Sequence, residues 1–551
     1  PKSRHEPAVL GWINNRLAKF YPLTVVTYPK NAYANALATS LTHGKETMSK
    51  QNNTVKKLAL YGFGTLTGIA LSLSVQSFAN EKDKSGLPVQ GIRTWAEAYG
   101  QIKANYVETT DDDKLLENAI QGMVSSLDPH SDYMSPKDFV DLKENTSGEF
   151  GGLGMEIGSE DGFIKVIAPI EDTPAERAGV KSGDYITKIN ETSTRGMSST
   201  EAVKLMRGKP DTKITLTLSR KDTTQPIVVH LTRAVIKVNS VRSHLLEPGI
   251  GYIRITQFQQ PTLDLLNQNV QKLTKQNGGE LKGLILDLRD DPGGLLTGAV
   301  GVSAAFLPEG SKVVSTKGRD GKEGMNLKAS KDDYAGGALK DPLSGLPASI
   351  KNIPMTILIN SGSASASEIV AGALQDHKRA VLVGTQSFGK GSVQTVLPLS
   401  NGGGIKLTTA LYYTPNDRSI QAQGILPDVE VKDKSRTFET READYRGHIA
   451  NPNGGEESKG GPQTYEEDKA AASEAAKEAE AEKDKNAKDK KSVIDEVLAS
   501  RIPNPAKDAQ LAKALELVKS PDAYKTALGK GLDKAKLDAA KKDKDKAKAD
   551  E

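Results

Sequence analysis

Between residues 234 and 433 short apolar runs alternate with segments of helical period, and this alternation constrains the fold more than any other feature. Gly251-Tyr252-Ile253-Arg254-Ile255 and Gly283-Leu284-Ile285-Leu286-Asp287-Leu288 read as buried strands. Residues 355–359, 381–383 and 393–399 read as further strands, while 262–274 and 367–374 read as helices. Strands interleaved with helices predict a sheet covered by helices. The chain's 551 residues exceed what one core organises, so several domains are expected around this unit.

Upstream, residues 148–233 change to short strands with glycine-rich turns. Strands are expected at 163–167, 184–189 and 213–219, a short helix ending at Gly179, and a helix over 199–206. Residues 91–147 carry Trp95, Tyr99, Ile102 and Tyr106, then Leu115, Leu116, Ala119, Ile120 and Met123, at spacings of three and four. That predicts a small helical domain, or a helix pair used for dimer contact. Residues 434–491 are a linker expected to lack a core, because 451–491 hold almost no large apolar side chains. Residues 492–551 predict two short amphipathic helices, marked by Val493, Val497 and Leu498 and by Leu511, Leu515 and Val518, followed by a charged tail.

Residues 48–79 have the form of an export signal. Lys50, Lys56 and Lys57 precede a charge-free apolar stretch of about 18 residues, and Ser77-Phe78-Ala79 supplies small residues at the cleavage positions. The stretch is also long enough to remain as a membrane anchor if uncleaved. The expected location is the periplasm or cell envelope, with residues 1–47 an upstream extension without a role in the fold. A net charge of +4 supplies no basic field for nucleic acid. Without cysteine there is no disulfide framework, thiol nucleophile or thiolate metal site.

The segment Asn360-Ser361-Gly362-Ser363-Ala364-Ser365-Ala366-Ser367-Glu368 follows a predicted strand and opens a predicted helix. A serine on such a turn is exposed beside free N–H groups that can stabilise an oxyanion; the same residues also suit a plain helix cap. A serine nucleophile needs a base. Of seven histidines only His377 lies near in sequence, in a charged helix end, so a Ser-His-Asp arrangement remains open. The other choice is Lys390, in Ser387-Phe388-Gly389-Lys390-Gly391-Ser392-Val393-Gln394. In a strand Lys390, Ser392 and Gln394 share one face. Burial lowers a lysine's pKa and makes it a base near neutrality, and Gln394 can orient the amine without adding charge.

The serine segment, followed by Gly-Lys-Gly-Ser-Val-Gln with 25 residues from Ser365 to Lys390, resembles the carboxy-terminal processing (tail-specific) proteases. Leu127-Asp128-Pro129-His130-Ser131, Asp287-Leu288-Arg289-Asp290-Asp291-Pro292-Gly293-Gly294, Tyr412-Tyr413-Thr414-Pro415 and Gly424-Ile425-Leu426-Pro427-Asp428 agree, in family order. The resemblance implies a multidomain α+β protein: a helical segment, a small β-rich PDZ domain and an α/β core of crotonase-like or Clp-protease-like type. It implies Ser365 as nucleophile, Lys390 as general base, Gln394 as its partner, and an oxyanion hole from the N–H of Ala366 and of Gly293 or Gly294. Asp290 stands where the family usually has Asn, which leaves the loop's hydrogen bonding open. Residues 148–233 resemble the family's PDZ domain, and Gly151-Gly152-Leu153-Gly154-Met155-Glu156-Ile157 its carboxylate-binding loop. There Gly152, Leu153, Gly154 and Met155 would hold a peptide C-terminus, with pockets lined by Leu153, Met155 and helix 199–206. The implied function is cleavage of cell-envelope proteins with apolar tails, without metal or cofactor, by an assembly of two or more copies and in some relatives with an adaptor. The rivals are a non-catalytic PDZ scaffold on a protease-like core and a crotonase-like acyl transferase or hydratase.

Overall fold

The computed structural model describes residues 88–433 apart from 161, 171, 222 and 224, together with 439–454 and 503–533. The extension 1–47, the export segment 48–79, most of the linker 434–491 and the charged end after 533 lie outside the described residues. The described residues up to Thr109 belong to one unit and those from Thr110 to another. In the first, helix Val89–Asn105 carries the predicted stripe and buries none of its residues; Trp95 stacks on Tyr99 at 5.8 Å.

The second unit is built on a six-stranded sheet. Strands Ile250–Ile255, Gly283–Asp287, Met355–Ile359, Val381–Gly384 and Val429–Glu430 run parallel, and Val241–Glu247 closes the edge antiparallel. Side chains alternate between the sheet's two faces, and because both faces are covered the central runs are mostly apolar, with Arg254 and Asp287 near the strand ends. Leu284, Leu286, Met355, Ile357, Ile359 and Leu382 face one core, under helices Thr262–Asn277, Leu296–Phe306 and Ala366–Asp376. Ile285, Leu358, Val381 and Val383 face a second core. What covers it is Ala509–Lys519 and Pro521–Ala527, with Leu511, Leu517 and Val518 buried. The amphipathic face predicted around Leu511 and Val518 is therefore spent inside the molecule; the expected helix around Val493 lies outside the described residues.

A second sheet pairs Gly404–Tyr413 with Lys312–Lys317, Ser392–Pro398 and Asp132–Met134, and Lys312–Lys317 with Glu323–Lys328. The region expected to be all helical thus contributes a strand between helices Asp112–Ser125 and Pro136–Ser147. The short strand was illegible because its three residues give no period. Residues 439–454, expected to lack order, pack against the core. They do so through polar groups: Glu442, His448 and Asn451 are buried, and Asn451 Nδ2 donates to the Gln421 carbonyl at 2.7 Å. Apolar content does not register that kind of attachment.

Residues 155–232 form a small β domain with its own core of Ile164, Val166, Ile186, Leu216 and Leu218. Its strand order is Met155–Glu160, Phe163–Pro169, Tyr185–Ile189, Lys213–Ser219, Ile227–Thr232, with helices Pro174–Arg177 and Ser199–Met206. Glu149–Gly152 pairs with Ala234–Lys237 where the chain enters and leaves. Strand Met155–Glu160 lies at the sheet's edge.

Candidate active site

Strand Met355–Ile359 delivers the chain into a turn held from within. Asn360 Oδ1 accepts from Gly362 N–H, and Ser363 Oγ donates to the Leu288 carbonyl while accepting from Asn360 N–H. Ser367 Oγ donates to the Asp291 carbonyl at 3.0 Å. Ser363 and Ser367 are therefore buried structural serines. Ser365 differs: it is half-buried and holds φ 55°, ψ −112° at the start of helix Ala366–Asp376. A side-chain-bearing residue there costs about 1–3 kcal/mol, and such strain persists where the surroundings enforce it.

The enforcing group is Glu368, fully buried, one turn into the helix. Its Oε2 accepts from the N–H of Ser365 and of Lys390, both at 2.9 Å. Its Oε1 accepts from Ser387 Oγ at 2.6 Å and Gly389 N–H at 2.7 Å. One carboxyl thus ties the serine turn to the lysine loop. Burial pushes its pKa up to about 7 against the pull of those four donors. Sequence reasoning gave Glu368 no role, although Ser365-x-x-Glu368 has capping-box spacing and marked it.

Lys390 lies in the loop before strand Ser392–Pro398 rather than in the strand, so the expected strand face holds only for Ser392 and Gln394. Burial lowers its pKa and the positive Lys406 adds to this, while Glu442, Glu368 and Asp128 oppose. Gln394 Nε2 donates to Ser392 Oγ at 2.9 Å and to Thr408 Oγ1 at 3.2 Å, which turns its Oε1 away as a free acceptor. Thr408 Oγ1 in turn donates to Asp128 Oδ1 at 3.0 Å, and Asp128 also holds Ser131. The 127–131 motif is thereby wired to the glutamine. The neighbouring His130 Nε2 lies 2.7 Å from Glu442 Oε2.

His377 is exposed at the far end of the helix, about 18 Å along its axis from Ser365 at about 1.5 Å per residue, and its Nε2 meets the Lys312 carbonyl. The Ser-His-Asp alternative loses its base by distance. Tyr412, on strand Gly404–Tyr413, instead brings a buried hydroxyl to Ser365 without a well-formed hydrogen bond; burial and then Glu368 hold its pKa well above the ordinary value.

The glycine loop closes on the serine. A β-carbon on Gly293 would stand 2.8 Å from Ala366 N and 2.7 Å from the Ala364 carbonyl oxygen, and φ is +96° there, so only glycine fits. The Gly293 N–H is already engaged, donating to Asp291 Oδ1 at 2.8 Å. Among the described residues Gly294 N–H and Ala366 N–H donate to no protein group. Of the two expected glycine donors the structure leaves Gly294 free and not Gly293. Asp291 is buried, which pushes its pKa up to about 8. Asp290 takes φ 59° and pairs with Asn360 in both directions, N–H to Oδ1 at 3.0 Å and Oδ1 from Nδ2 at 3.1 Å. Asn360 supplies the amide partner that the aspartate lacks.

In the β domain, the N–H groups of Leu153 and Gly154 are likewise uncommitted among the described residues. The Leu153 side chain is buried in the domain core, beside the partly buried Met155 that packs against it. Gly154 has φ +77° and packs on Thr173, which any side chain would strike.

Three family models match this chain: peptidase family S41 over residues 249–431, the PDZ domain over 141–219, and the N-terminal domain of the activating protease CtpB over 36–138. The carboxy-terminal-processing protease of Bartonella bacilliformis is 42% identical over 402 residues, covering 72% of this chain and 88% of that one. The carboxy-terminal processing protease CtpA of Bacillus subtilis is 37% identical, covering 61% and 68%. The solved photosystem II D1 C-terminal processing protease is 29% identical, covering 61% and 86%, with a TM-score of 0.36. Core, serine turn and PDZ module define a serine peptidase. The chain belongs to peptidase family S41, with the carboxy-terminal-processing proteases.

Proposed function

We propose that this chain is a tail-specific endopeptidase in which Ser365 is the nucleophile, Lys390 the general base and Gln394 the group that orients it. The single observation that carries this reading is the Glu368 carboxyl, which holds the Ser365 and Lys390 amides on one pair of oxygens. Lys390 takes the Ser365 proton as the hydroxyl attacks the peptide carbonyl, and returns it to the leaving amine. Water then releases the acyl group. Gly294 and Ala366 N–H groups stabilise the oxyanion, a role that needs donors without prior partners. The core folds in the crotonase-like manner, its serine opening a helix at the sheet's C-terminal edge.

Substrates are proteins with apolar C-termini. The tail adds beside the edge strand Met155–Glu160, its carboxylate on the Leu153 and Gly154 amides and its side chains towards helix Ser199–Met206. The export-signal pattern of residues 48–79 supports a role in the cell envelope, on proteins to be processed or degraded. Helix Val89–Asn105, with Trp95 46% and Ile102 45% exposed, offers an apolar stripe for a second copy or an adaptor.

The test is cleavage of an unfolded protein ending in apolar residues by Ser365→Ala, Lys390→Ala and His377→Ala. Ser365→Ala and Lys390→Ala are expected to be inactive and His377→Ala unchanged. Full activity of Lys390→Ala, or loss with His377→Ala, contradicts the reading. Amidation of the substrate's terminal carboxylate is expected to raise KM.

A further inference from the structure

The glycine loop is anchored from outside the protease domain. Arg289, immediately before Asp290, points its guanidinium between two carboxylates. Nη2 lies 2.6 Å from Asp287 Oδ2 in the sheet and 2.8 Å from Asp508 Oδ2 in the C-terminal segment. Nη1 donates to Gln510 Oε1 at 3.0 Å, and Nε donates to Asp287. Asp287 is fully buried, also accepts from Tyr252 Oη at 2.7 Å, and cannot shift without leaving a charge unpaired. Asp508 is fixed from its own side: its Oδ1 caps helix Ala509–Lys519 by accepting Leu511 N–H at 2.9 Å. Gln510 is fixed as well, with Nε2 donating to the Val431 carbonyl at 2.8 Å.

The family match ends at residue 431, so residues 503–533 lie beyond it. Their helices nevertheless cover one face of the catalytic sheet and reach the residue that begins the oxyanion loop. Further along, Gly531 N–H donates to Asp428 Oδ1, and Tyr524 Oη bonds the Met355 and Arg379 carbonyls. A guanidinium held on both sides has one orientation, and its own backbone carbonyl is held by Arg254 Nη2 at 3.2 Å. The strand end is thus fixed where the chain turns into Asp290, Asp291, Gly293 and Gly294.

We infer that Asp508 is a positioning residue for the glycine loop, and that the docked C-terminal segment sets how well the oxyanion donors are aligned. This rests on the reading of Ser365 as nucleophile and Gly294 as oxyanion donor. Oxyanion stabilisation depends on donors fixed before the reaction, and a displacement of about 1 Å at such a group costs on the order of 100-fold in rate.

Asp508→Asn and Asp508→Ser each keep a helix-capping side chain but remove the charge facing Arg289. Asp508→Glu keeps the charge. In the full chain the first two are expected to lower kcat about 10- to 100-fold with KM within about twofold, to keep the thermal midpoint within a few degrees, and to be restored in large part by Asp508→Glu. Rates are taken per folded molecule, from the circular dichroism of the same samples. If both neutral variants keep kcat within twofold, or if the loss equals the unfolded fraction, the inference is overturned. Ser365→Ala run alongside separates the two readings: residual cleavage there refutes the nucleophile, whereas an inactive Ser365→Ala beside a fully active Asp508→Asn refutes only the role of Asp508.

Discussion

Replacing Glu368 by Gln tests the claim that one buried carboxyl organises the site. The carboxylate accepts four hydrogen bonds, two on each oxygen. A glutamine keeps one accepting oxygen and presents an NH2 to the other pair of donors. Turned towards Ser365 and Lys390, it opposes two N–H groups; turned towards Ser387 and Gly389, it opposes at least the Gly389 N–H. At pH 5 the neutral acid still accepts through its carbonyl oxygen and through its hydroxyl oxygen, which an amide NH2 cannot do; a buried donor left unpaired costs about 1–3 kcal/mol, so the variant loses about 1–3 kcal/mol at pH 5 in the better orientation. The pH dependence carries the sharper signature. The folded-state pKa of Glu368 is raised from 4.5 to about 7, chiefly by burial. The stabilisation linked to this proton is therefore full below pH 4.5 and is lost as pH rises through 7, amounting to about 3 kcal/mol at about 1.4 kcal/mol per unit. Glu368→Gln cannot lose that proton, so the stability gap between the proteins narrows from pH 5 to pH 8. Urea unfolding at the two pH values measures the gap. Peptide hydrolysis at saturating substrate is expected to show kcat at least about 100-fold lower, because serine and lysine lose their common anchor. A variant with kcat within threefold of wild type and an unchanged stability gap refutes the reasoning.

Gly293→Ala places a methyl against Ala364 and Ala366, so kcat is expected to fall about 100-fold while tail-peptide affinity, read by fluorescence anisotropy, stays the same. Tyr412→Phe removes a buried hydroxyl without a well-formed partner; the thermal midpoint is expected to hold or rise, and any fall in kcat measures the contact with Ser365. Thr408→Val cuts the link from Asp128 to Gln394, and kcat is expected to fall about tenfold with the pH–rate midpoint displaced, a shift that a purely structural role would not produce.

Much of this architecture was legible because apolar runs and tight turns are local. The strands at 283–288, 355–359 and 381–383 announce themselves, since burial on both faces removes polar alternation. Ser365 and Lys390 read as a pair where each is ambiguous alone, and the Glu368 carboxyl accepts from the backbone N–H of both. What the sequence hid is held by long-range polar contacts. Residues 439–454 attach through Glu442 and Asn451, and the strand Asp132–Met134 is specified by its partner Gly404–Tyr413. The C-terminal helix period was visible, but its destination was not, because amphipathicity does not say which apolar surface the face will meet. The answer is the underside of the catalytic sheet.

The central claim is that Lys390 is the base for Ser365, and the acylation rate of Ser365 by a peptide active ester across pH 5–10 tests it most directly. In the wild type the rate is expected to rise as the Lys390 ammonium loses its proton, with a midpoint below the ordinary 10.5 because burial lowers it. In Lys390→Ala the rate is expected to fall about 100- to 10,000-fold, the range for a lost general base, and to lose that ionisation. An alanine variant that retains both the rate and the wild-type midpoint contradicts the account.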